Sequence, residues 1–531
     1  YLVALCLTDY YRSRKIPRQP LTLKHFSISL EVHTVASHYD VIVVGAGNAA
    51  LSAAIAAKEN ADSVLVVEKA PEYFRGGNTY FTGGIIRFAF DGLDDIRTII
   101  PDMSETEVNS VEVGSYTENQ FYDDMMRVTE GLADPELAQI LVSQSLPTMQ
   151  WLQSKGVRFV LAYGRQAFKD GDKYRFWGGL LVEAVGAGKG LSDQQFDVCA
   201  ELGIDVRYST QATKLLQNQK GHVNGITVLG PDGFEDITAG SVVLAAGGFE
   251  ANAEMRSRYL GPGWENVKVR GIPYNTGDGI KMALDVGAQS HGHYSSCHAV
   301  AWDMNAPAFG DRTITELYQK HSYPFGLIVN INGERFLDEG EDFRNYTYVK
   351  FGRAYLTQPQ GLGFHIFDDK VKHLLRDEYH IDQVTMARAD TLEELAERLD
   401  IEPAGFVKTI KEYNAAVQTQ IPYNPTVKDG RNTVGINPPK SNWAETIDTP
   451  PYTGYAVTCG ISFTFGGVRI NNRGQVVTNS SEPIPGLYAA GEMVGGLFYH
   501  NYPGGSGLSA GMVFGKLSGT SAGQDAKALR I

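Results

Sequence analysis

The feature that most constrains this chain is a strand, a glycine-rich turn and a helix that follow one another directly. Residues 39–44 (YDVIVV) form a continuous apolar run, which is typical of a parallel strand buried on both faces. The turn GAGNAA follows at residues 45–50, and an alanine-rich helix is predicted over residues 51–58. A second apolar strand at residues 63–67 ends in Glu68. Together these segments predict a β-α-β unit.

The turn of this unit has the composition of a dinucleotide-binding site. Gly45 and Gly47 let the backbone approach a pyrophosphate at the helix N-terminus, where unpaired amide groups and the helix dipole favour negative charge. The third glycine of the usual motif is Ala50, a tolerated variant. Glu68, 21 positions after Gly47, can accept hydrogen bonds from ribose hydroxyls. This motif alone leaves both FAD and NAD open.

Two later glycine clusters favour FAD. One is AAGG at residues 245–248, and the other is a strand at residues 486–490 followed by Gly491 and Glu492. A flavin dinucleotide spans a whole domain and needs several separated backbone approaches, whereas one N-terminal unit can serve half of NAD. Glycine makes up 58 of the 531 residues, an excess over the usual share of roughly 7%, and most of that excess lies in such clusters.

Charge and cysteine content exclude several classes of protein. A formal net charge of −14 provides no basic footprint for a phosphate backbone, so no nucleic-acid partner is expected. The four cysteines are scattered, which predicts no disulfide framework, attached haem or iron–sulfur cluster and favours a cytoplasmic location. No apolar run reaches the ~18 residues that a membrane span requires. No metal site and no membrane span are predicted.

The composition divides the chain into four segments. Residues 1–37 are a basic and polar N-terminal extension to which no function is assigned. Residues 38–289 predict the first part of an FAD-binding domain, and residues 459–531 complete it after the glycine-rich pattern returns. Residues 290–458 predict an inserted α+β domain for the substrate. The predicted fold class is α/β, with a split Rossmann-like sheet.

Residues 39–289 and 459–520 resemble the fumarate reductase and succinate dehydrogenase flavoprotein superfamily. The resemblance implies an FAD-binding domain of the glutathione-reductase type and a capping domain that closes over the isoalloxazine. Membrane-bound members attach flavin through a histidine within the region that matches residues 75–82, where this chain has none, so noncovalent FAD is expected. The positions that the resemblance assigns to the cofactor are Gly45, Gly47, Asn48, Ala49, Glu68, Lys69, Gly76, Gly77, Asn78, Thr79, Gly83, Gly84, Ala212, Ala246, Gly247, Asp278, Gly491, Glu492, Gly507, Leu508 and Ser509.

The resemblance also implies hydride transfer between flavin N5 and a carbon beside an electron-withdrawing group, with an arginine moving a proton at the adjacent carbon. GERFLDE at residues 333–339 resembles the motif GxRFxNE, and Arg344 follows one residue further on than in fumarate reductases. Glu316 matches the glutamate that relays the proton, and His298 matches a histidine that holds a substrate carboxylate. Since a guanidinium is otherwise permanently protonated, acidic neighbours of Arg344 are expected.

Two positions depart from fumarate reductases. Phe463 replaces a histidine, and Tyr502 replaces the arginine that clamps a substrate carboxylate, which argues against fumarate itself as substrate. NYPGG at residues 501–505 is closer to tricarballylate dehydrogenases, and its Tyr-Pro-Gly also resembles ketosteroid dehydrogenases, in which the tyrosine polarises a ketone. The predicted catalytic residues are Arg344, Tyr502 and Glu316, and the predicted substrate-binding residues are His298, His500, Phe463, Thr464 and Tyr346.

The leading hypothesis is an FAD-dependent oxidoreductase that acts on a CH–CH bond α,β to a carboxylate, as in oxidation of tricarballylate to an aconitate. The alternative is a fumarate or enoate reductase, or a ketone-directed dehydrogenase with a larger substrate. A third possibility, a flavin-binding subunit whose partner does the chemistry, is opposed by Arg344 and Tyr502. Because the sequence has no haem or cluster motif, electrons must pass to or from a separate protein, a quinone, reduced free flavin or oxygen.

Overall fold

A computed structural model describes residues 38–176 and 179–529. The extension predicted at residues 1–37 lies outside the described residues. Two large mixed sheets and two small ones account for the strands. In chain order the strands are β1 (His38–Val44), β2 (Val64–Val67), β3 (Ile85–Ile86), β4 (Val111–Glu112), β5 (Phe159–Leu161), β6 (Ala167–Asp170), β7 (Lys173–Phe176), β8 (Val182–Ala184), β9 (Asp205–Arg207), β10 (Gln211–Gln217), β11 (Val223–Gly230), β12 (Gly233–Leu244), β13 (Lys268–Val269), β14 (Ser290–Asp303), β15 (Leu327–Val329), β16 (Gly363–Phe367), β17 (Met386–Ala389), β18 (Tyr452–Val468), β19 (Gln475–Val477) and β20 (Pro483–Ala489).

The helices differ widely in length. Within the described residues, no helix combines the length and the apolar character that a membrane crossing requires. In chain order the α-helices are α1 (Asn48–Lys58), α2 (Leu93–Ile99), α3 (Glu105–Ser110), α4 (Glu118–Val128), α5 (Pro135–Ser154), α6 (Tyr163–Gln166), α7 (Ala187–Glu201), α8 (Ala253–Leu260), α9 (Asp278–Asp285), α10 (Tyr348–Ala354), α11 (Leu392–Arg398), α12 (Pro403–Ala416) and α13 (Ser506–Ala528).

The first large sheet brings four strand ends together. β1 runs parallel to β12 on one side and to β2 on the other, with Val44 opposite both Leu244 and Val67. β20 lies parallel to the end of β12, with Ala489 opposite Leu244. Ligands of such sheets bind outside the carboxyl ends of the strands. The predicted α/β class with a split Rossmann-like domain is therefore confirmed, since β20 joins β1 from a distant part of the chain.

Two helices that cover this sheet approach each other unusually closely. α1 is apolar and almost entirely buried, and it begins at Asn48, three residues before the predicted start. A Cβ atom at Gly515 of α13 would lie 2.5 Å from the Ala49 carbonyl oxygen, and one at Gly519 would lie 2.1 Å from that of Ala53. Glycine at these positions therefore lets α13 pack directly on the backbone of α1. This contact holds in place the helix that follows the glycine-rich turn.

The second large sheet is built around β18. This strand of 17 residues pairs with β13, β14, β16 and β17, while β15 pairs with β16. β18 runs across the predicted boundary between residues 458 and 459, so one continuous strand joins the predicted insertion to the last segment. The boundaries at residues 290 and 458 remain a prediction.

Candidate active site

A cavity of about 2050 Å³, its open mouth included, begins at the strand ends of the first sheet and reaches β18 of the second. Its wall at the first sheet, here called the cofactor wall, carries most of the predicted cofactor residues. These are Gly45, Gly47, Asn48, Ala49, Glu68, Lys69, Gly77, Asn78, Thr79, Gly83, Ala212, Ala246, Gly247, Asp278, Gly491, Glu492, Gly507 and Leu508.

The N-terminus of α1 has the features that a pyrophosphate site requires. Gly47 caps the helix, and no acidic side chain occupies its first turn. The amide of Asn48 donates to Oγ1 of Thr79 at 3.0 Å, while its Nδ2 donates to the carbonyl of Leu508 at 2.9 Å. Three distant segments therefore meet here, and the helix dipole faces the cavity without a competing carboxylate.

Glu68 supplies a buried acceptor at the end of β2. The Ala70 amide donates to its Oε1 at 2.7 Å, and burial raises the pKa of the carboxyl group. A buried carboxylate gains stability from further donors such as ribose hydroxyls. Beside it, Lys69 Nζ lies 2.7 Å from Oδ2 of Asp278, which joins α9 to the same wall. The residues present therefore fit FAD.

Three predicted cofactor residues do not line the cavity. A Cβ at Gly76 would lie 2.3 Å from Oγ of Ser192, and one at Gly84 would lie 2.5 Å from the Ala187 carbonyl carbon. The hydroxyl of Ser509 donates to the main-chain carbonyl of Arg87. These residues allow or maintain close packing around the cavity, and their contact with the cofactor stays a prediction.

Thr464 belongs to the cofactor wall. Its amide and its hydroxyl both donate to Oε1 of Glu492, at 2.6 and 2.9 Å. A Cβ at Gly248 would lie 2.0 Å from the same oxygen and 2.1 Å from Oγ1 of Thr464. Thr464 lines the cavity, and its amide and hydroxyl donors both orient Glu492. Its role in substrate binding stays a prediction.

Aromatic rings line one side of the cavity at the end away from the cofactor wall. His298 stacks on Phe463 with ring centroids 5.0 Å apart, and Tyr502 meets both rings edge-on. The Tyr348 hydroxyl lies 3.1 Å from Nε2 of His298 and also contacts the Tyr502 hydroxyl. Burial lowers the pKa of His298 and raises that of Tyr502. Both side chains are therefore neutral hydrogen-bonding groups at neutral pH.

The same end carries a cluster of charged side chains that we call the arginine cluster. Nη1 of Arg165 pairs with Oε1 of Glu316, and Nη2 of Arg270 lies 3.4 Å from Oε2 of that glutamate. Glu316 therefore bridges Arg165 and Arg270. The arginine cluster comprises Arg165, Arg270, Arg344 and Arg376 together with Glu316 and Glu378, all of which line the cavity.

Two members of the arginine cluster make their described hydrogen bonds to the main chain. Nη2 of Arg344 donates to the carbonyl of Arg165, and Nη1 of Arg376 donates to that of Gly164 at 2.9 Å. Among the described residues, Nε of Arg270, Nε of Arg344 and Nη2 of Arg376 are buried without a hydrogen-bond partner. Buried donors of this kind require a partner, and the cavity is where one can enter.

The electrostatics indicate an excess of positive charge. Burial lowers the pKa of Arg344, and burial together with Arg344 lowers the pKa of Arg376 to about 9. The negative charge of Glu378 opposes both shifts, so Glu378 is an acidic neighbour of Arg344. The cluster has four arginines and two glutamates. Glu183, which does not line the cavity, offsets part of this charge, since its Oε2 lies 3.5 Å from Nε of Arg165. An anionic ligand would relieve the remaining imbalance.

Two predicted substrate residues lie elsewhere. The Tyr346 hydroxyl donates to Oδ2 of Asp124 at 2.7 Å, and its ring packs under Arg127. The His500 amide donates to Nδ1 of His293 at 3.0 Å, and His500 adopts a positive φ of 59°. Neither residue lines the cavity, and their role in substrate binding stays a prediction.

Sequence reasoning missed several side chains of this end. Arg270 follows β13, while Arg376 and Glu378 lie between β16 and β17, far from the motifs that matched the superfamily. His321 lines the cavity as well, and only its place in a histidine-rich region could have drawn attention to it. Single charged residues in irregular segments carry no spacing signal, so only the fold brings them together.

A cavity that combines the cofactor wall with the buried arginine cluster is typical of a flavin-dependent oxidoreductase. A family model for the FAD binding domain matches residues 40–508, and the chain belongs to that family, within the fumarate reductase and succinate dehydrogenase flavoproteins. The protein binds FAD.

The comparisons with individual proteins give similar coverage. A probable fumarate reductase of Shewanella frigidimarina is 30% identical over 497 residues, which are 92% of this chain and 75% of the relative. A 3-oxosteroid 1-dehydrogenase of Mycolicibacterium smegmatis is 26% identical over 93% of this chain and 98% of the relative. The open conformation of a flavocytochrome c3 fumarate reductase superposes with a TM-score of 0.68 and 28% identity, covering 92% of this chain and 79% of that one.

Proposed function

We propose that this flavoprotein oxidises or reduces a CH–CH bond α,β to a carboxylate in a small acid with more than one carboxylate group, as in oxidation of tricarballylate to an aconitate. The observation that carries the proposal is the arginine cluster, whose excess positive charge and unpartnered buried donors call for an anion. FAD, when bound, supplies the acceptor or donor of the hydride.

The carboxylates are held by Arg270 and Arg376. Nε of Arg270 and Nη2 of Arg376 are two of the three buried donors of the arginine cluster that have no described partner, and hydrogen bonds from guanidinium to carboxylate are about twice as strong as neutral ones. Arg270 and Arg376 supply the positive charge that is lost where Tyr502 and Phe463 replace the arginine and histidine of fumarate reductases. The neutral Tyr502 and His298 add hydrogen bonds that orient the acid rather than charges that attract it.

The proton at the adjacent carbon is moved by Arg344. This guanidinium is 6% exposed, and its lowered pKa, caused first by burial, makes the loss of a proton less costly than for a solvated arginine. Glu316, bridged to Arg165 and Arg270, with Gln319 donating to its Oε2 at 3.1 Å, stabilises the neighbouring charges. Electrons reach or leave the protein through a separate carrier.

The aromatic side of the cavity supports a second candidate, a dehydrogenase directed to a ketone. Phe463 lies 5.4 Å from Phe465 and 6.0 Å from Phe498 between ring centroids, which provides an apolar surface for a larger substrate. The Tyr502 hydroxyl would then donate to the carbonyl oxygen as negative charge develops. The similarity to a 3-oxosteroid 1-dehydrogenase supports this candidate.

An anaerobic titration of the FAD-loaded protein separates the two candidates. Bleaching of the oxidised flavin absorbance by tricarballylate, or reoxidation of dithionite-reduced flavin by aconitate, supports the leading proposal. Bleaching by a 3-ketosteroid but by no carboxylate overturns it in favour of the second candidate. A flavin that exchanges electrons with none of these compounds contradicts both.

A further inference from the structure

Two buried carboxyl groups, those of Glu250 and Glu492, lie at the cofactor wall, separate from the arginine cluster. Glu250 follows the GG pair after β12, is fully buried and does not line the cavity. Glu492 lies in front of it and does line the cavity. The two carboxyl groups lie close enough for each to affect the pKa of the other. Two ionised carboxylates buried side by side would repel each other, which favours a proton on one of them.

The neighbours of the pair indicate which group carries it. Oε1 of Glu492 accepts both the amide and the hydroxyl of Thr464, and such donors favour the ionised form. Oε2 of Glu250 is buried and has no described donor. A proton on that oxygen, donated to Glu492, satisfies both groups at once, whereas two ionised carboxylates would repel each other inside the protein.

The other oxygen of Glu250 anchors two asparagines. Nδ2 of Asn78 and Nδ2 of Asn275 each donate to Oε1 of Glu250 at 2.6 Å. Asn78 in turn accepts the amide of Ile272 on its Oδ1 at 3.0 Å. Both asparagines line the cavity, whereas Glu250 does not. Glu250 therefore holds two residues of the wall from outside the cavity.

Further charged groups near Glu250 are few. Nη1 of Arg256 donates to the main-chain carbonyl of Glu250 at 2.5 Å, and the Cys297 thiol lies close enough to be affected by the pair. Burial raises the pKa of this thiol, so it stays neutral and adds no charge. Burial, followed by Glu492, raises the pKa of Glu250 well above its usual range.

We propose that Glu250 is a protonated positioning residue that donates to Glu492, anchors Asn78 and Asn275, and leaves the cofactor wall with one negative charge. Its hydrogen bonds to Asn78 and Asn275, two lining residues from separate segments, make it a support of that wall. The inference concerns FAD and is independent of the substrate proposed above.

Glutamine at position 250 tests the proposal directly, because its amide reproduces both the donor and the acceptor of a protonated glutamate. For Glu250→Gln we expect an FAD dissociation constant within about threefold of the wild type and an unchanged flavin midpoint potential. Glu250→Ala is expected to weaken FAD binding about tenfold or more, since the asparagines and Glu492 lose their partner. Glu492→Gln removes the negative charge and is expected to raise the midpoint potential.

The exposed Glu397 of α11 provides matched controls, and Glu397→Gln and Glu397→Ala should change neither quantity. A raised midpoint potential in Glu250→Gln would show that Glu250 is ionised and would overturn the proposal. FAD binding by Glu250→Gln as weak as by Glu250→Ala, or wild-type binding by a folded Glu250→Ala, would do the same. If Glu250→Ala does not fold, the potentials of the two glutamine variants still decide the question.

Discussion

The cofactor wall and the arginine cluster share one cavity, yet they recognise their ligands in different ways. The wall relies on backbone shape: at Gly45, with φ of 105°, a Cβ would lie 2.4 Å from the Ala245 carbonyl oxygen. The arginine cluster relies on side chains that converge from segments as distant as Arg165 and Arg376. A backbone cradle fixes one ligand for a whole fold, whereas side chains can be exchanged without disturbing it. The fold therefore identifies FAD, and we propose that the arginines select the substrate.

The largest effect should follow removal of the proton-transferring group. Arg344→Ala is expected to lower kcat by about 10² to 10⁴-fold, the usual contribution of general acid–base catalysis, while FAD remains bound with its visible spectrum unchanged. Steady-state assays and the flavin absorbance measure the two quantities. The exposed Arg258 offers a control, since Arg258→Ala should retain full turnover. Undiminished turnover of Arg344→Ala would contradict the assignment.

The opposite pattern is expected at the cofactor wall. In Gly248→Ala the new methyl group would collide with Glu492 and Thr464, so FAD affinity should fall by about tenfold or more, as when a buried hydrogen-bonded pair is displaced. Titration of the apoprotein with FAD measures it. Gly230→Ala, whose nearest atom would be Oγ1 of Thr210 at 3.9 Å, is the matched control. Normal FAD affinity of Gly248→Ala would show that the wall is less rigid than described.

Arg376 should affect substrate binding more than turnover. Arg376→Ala removes a buried donor that the substrate carboxylate would use, so KM for the acid should rise by about tenfold to a hundredfold, with a smaller change in kcat. Kinetics on the acid substrate measure both constants, and the exposed Arg388 provides the control variant Arg388→Ala. An unchanged KM would show that Arg376 does not bind the carboxylate and would leave Arg270 as the only proposed carboxylate-binding arginine.

The pH profile should show a smaller and graded effect. The pKa of Arg376 is lowered to about 9 by burial and by Arg344, so the guanidinium is charged below that pH and loses its charge above it. Because the charged form binds the carboxylate, kcat/KM should be retained below pH 9 and decline as pH rises through it. Arg376→Ala should lose this alkaline decline. A profile with the same decline in the variant would assign it to another group.

The difference between the two ends also explains what sequence could predict. The turn at residues 45–50 and Glu68 are local patterns whose spacing implies their geometry, and the structure places them together at the ends of β1 and β2. Arg270, Arg376 and Glu378 lie in irregular segments that only β18 and its neighbours bring to the cavity.

The two predicted substrate residues that do not line the cavity illustrate the same limit. Tyr346 follows Arg344 by two positions in the sequence, but the turn between them directs its hydroxyl to Asp124 instead of the cavity. His500 is close to Tyr502 in sequence, yet its positive φ and its contact with His293 belong to a separate packing site. Proximity in sequence does not fix the direction of a side chain where the chain is irregular.

A crystal structure of the FAD-loaded protein with bound tricarballylate would test the central claim most directly. We predict that FAD lies along the cofactor wall, that carboxylates of the acid contact Arg270 and Arg376, and that the carbon–carbon bond lies between the flavin and Arg344. An acid bound away from the arginine cluster, or a cluster that binds no anion at saturating tricarballylate, would contradict it.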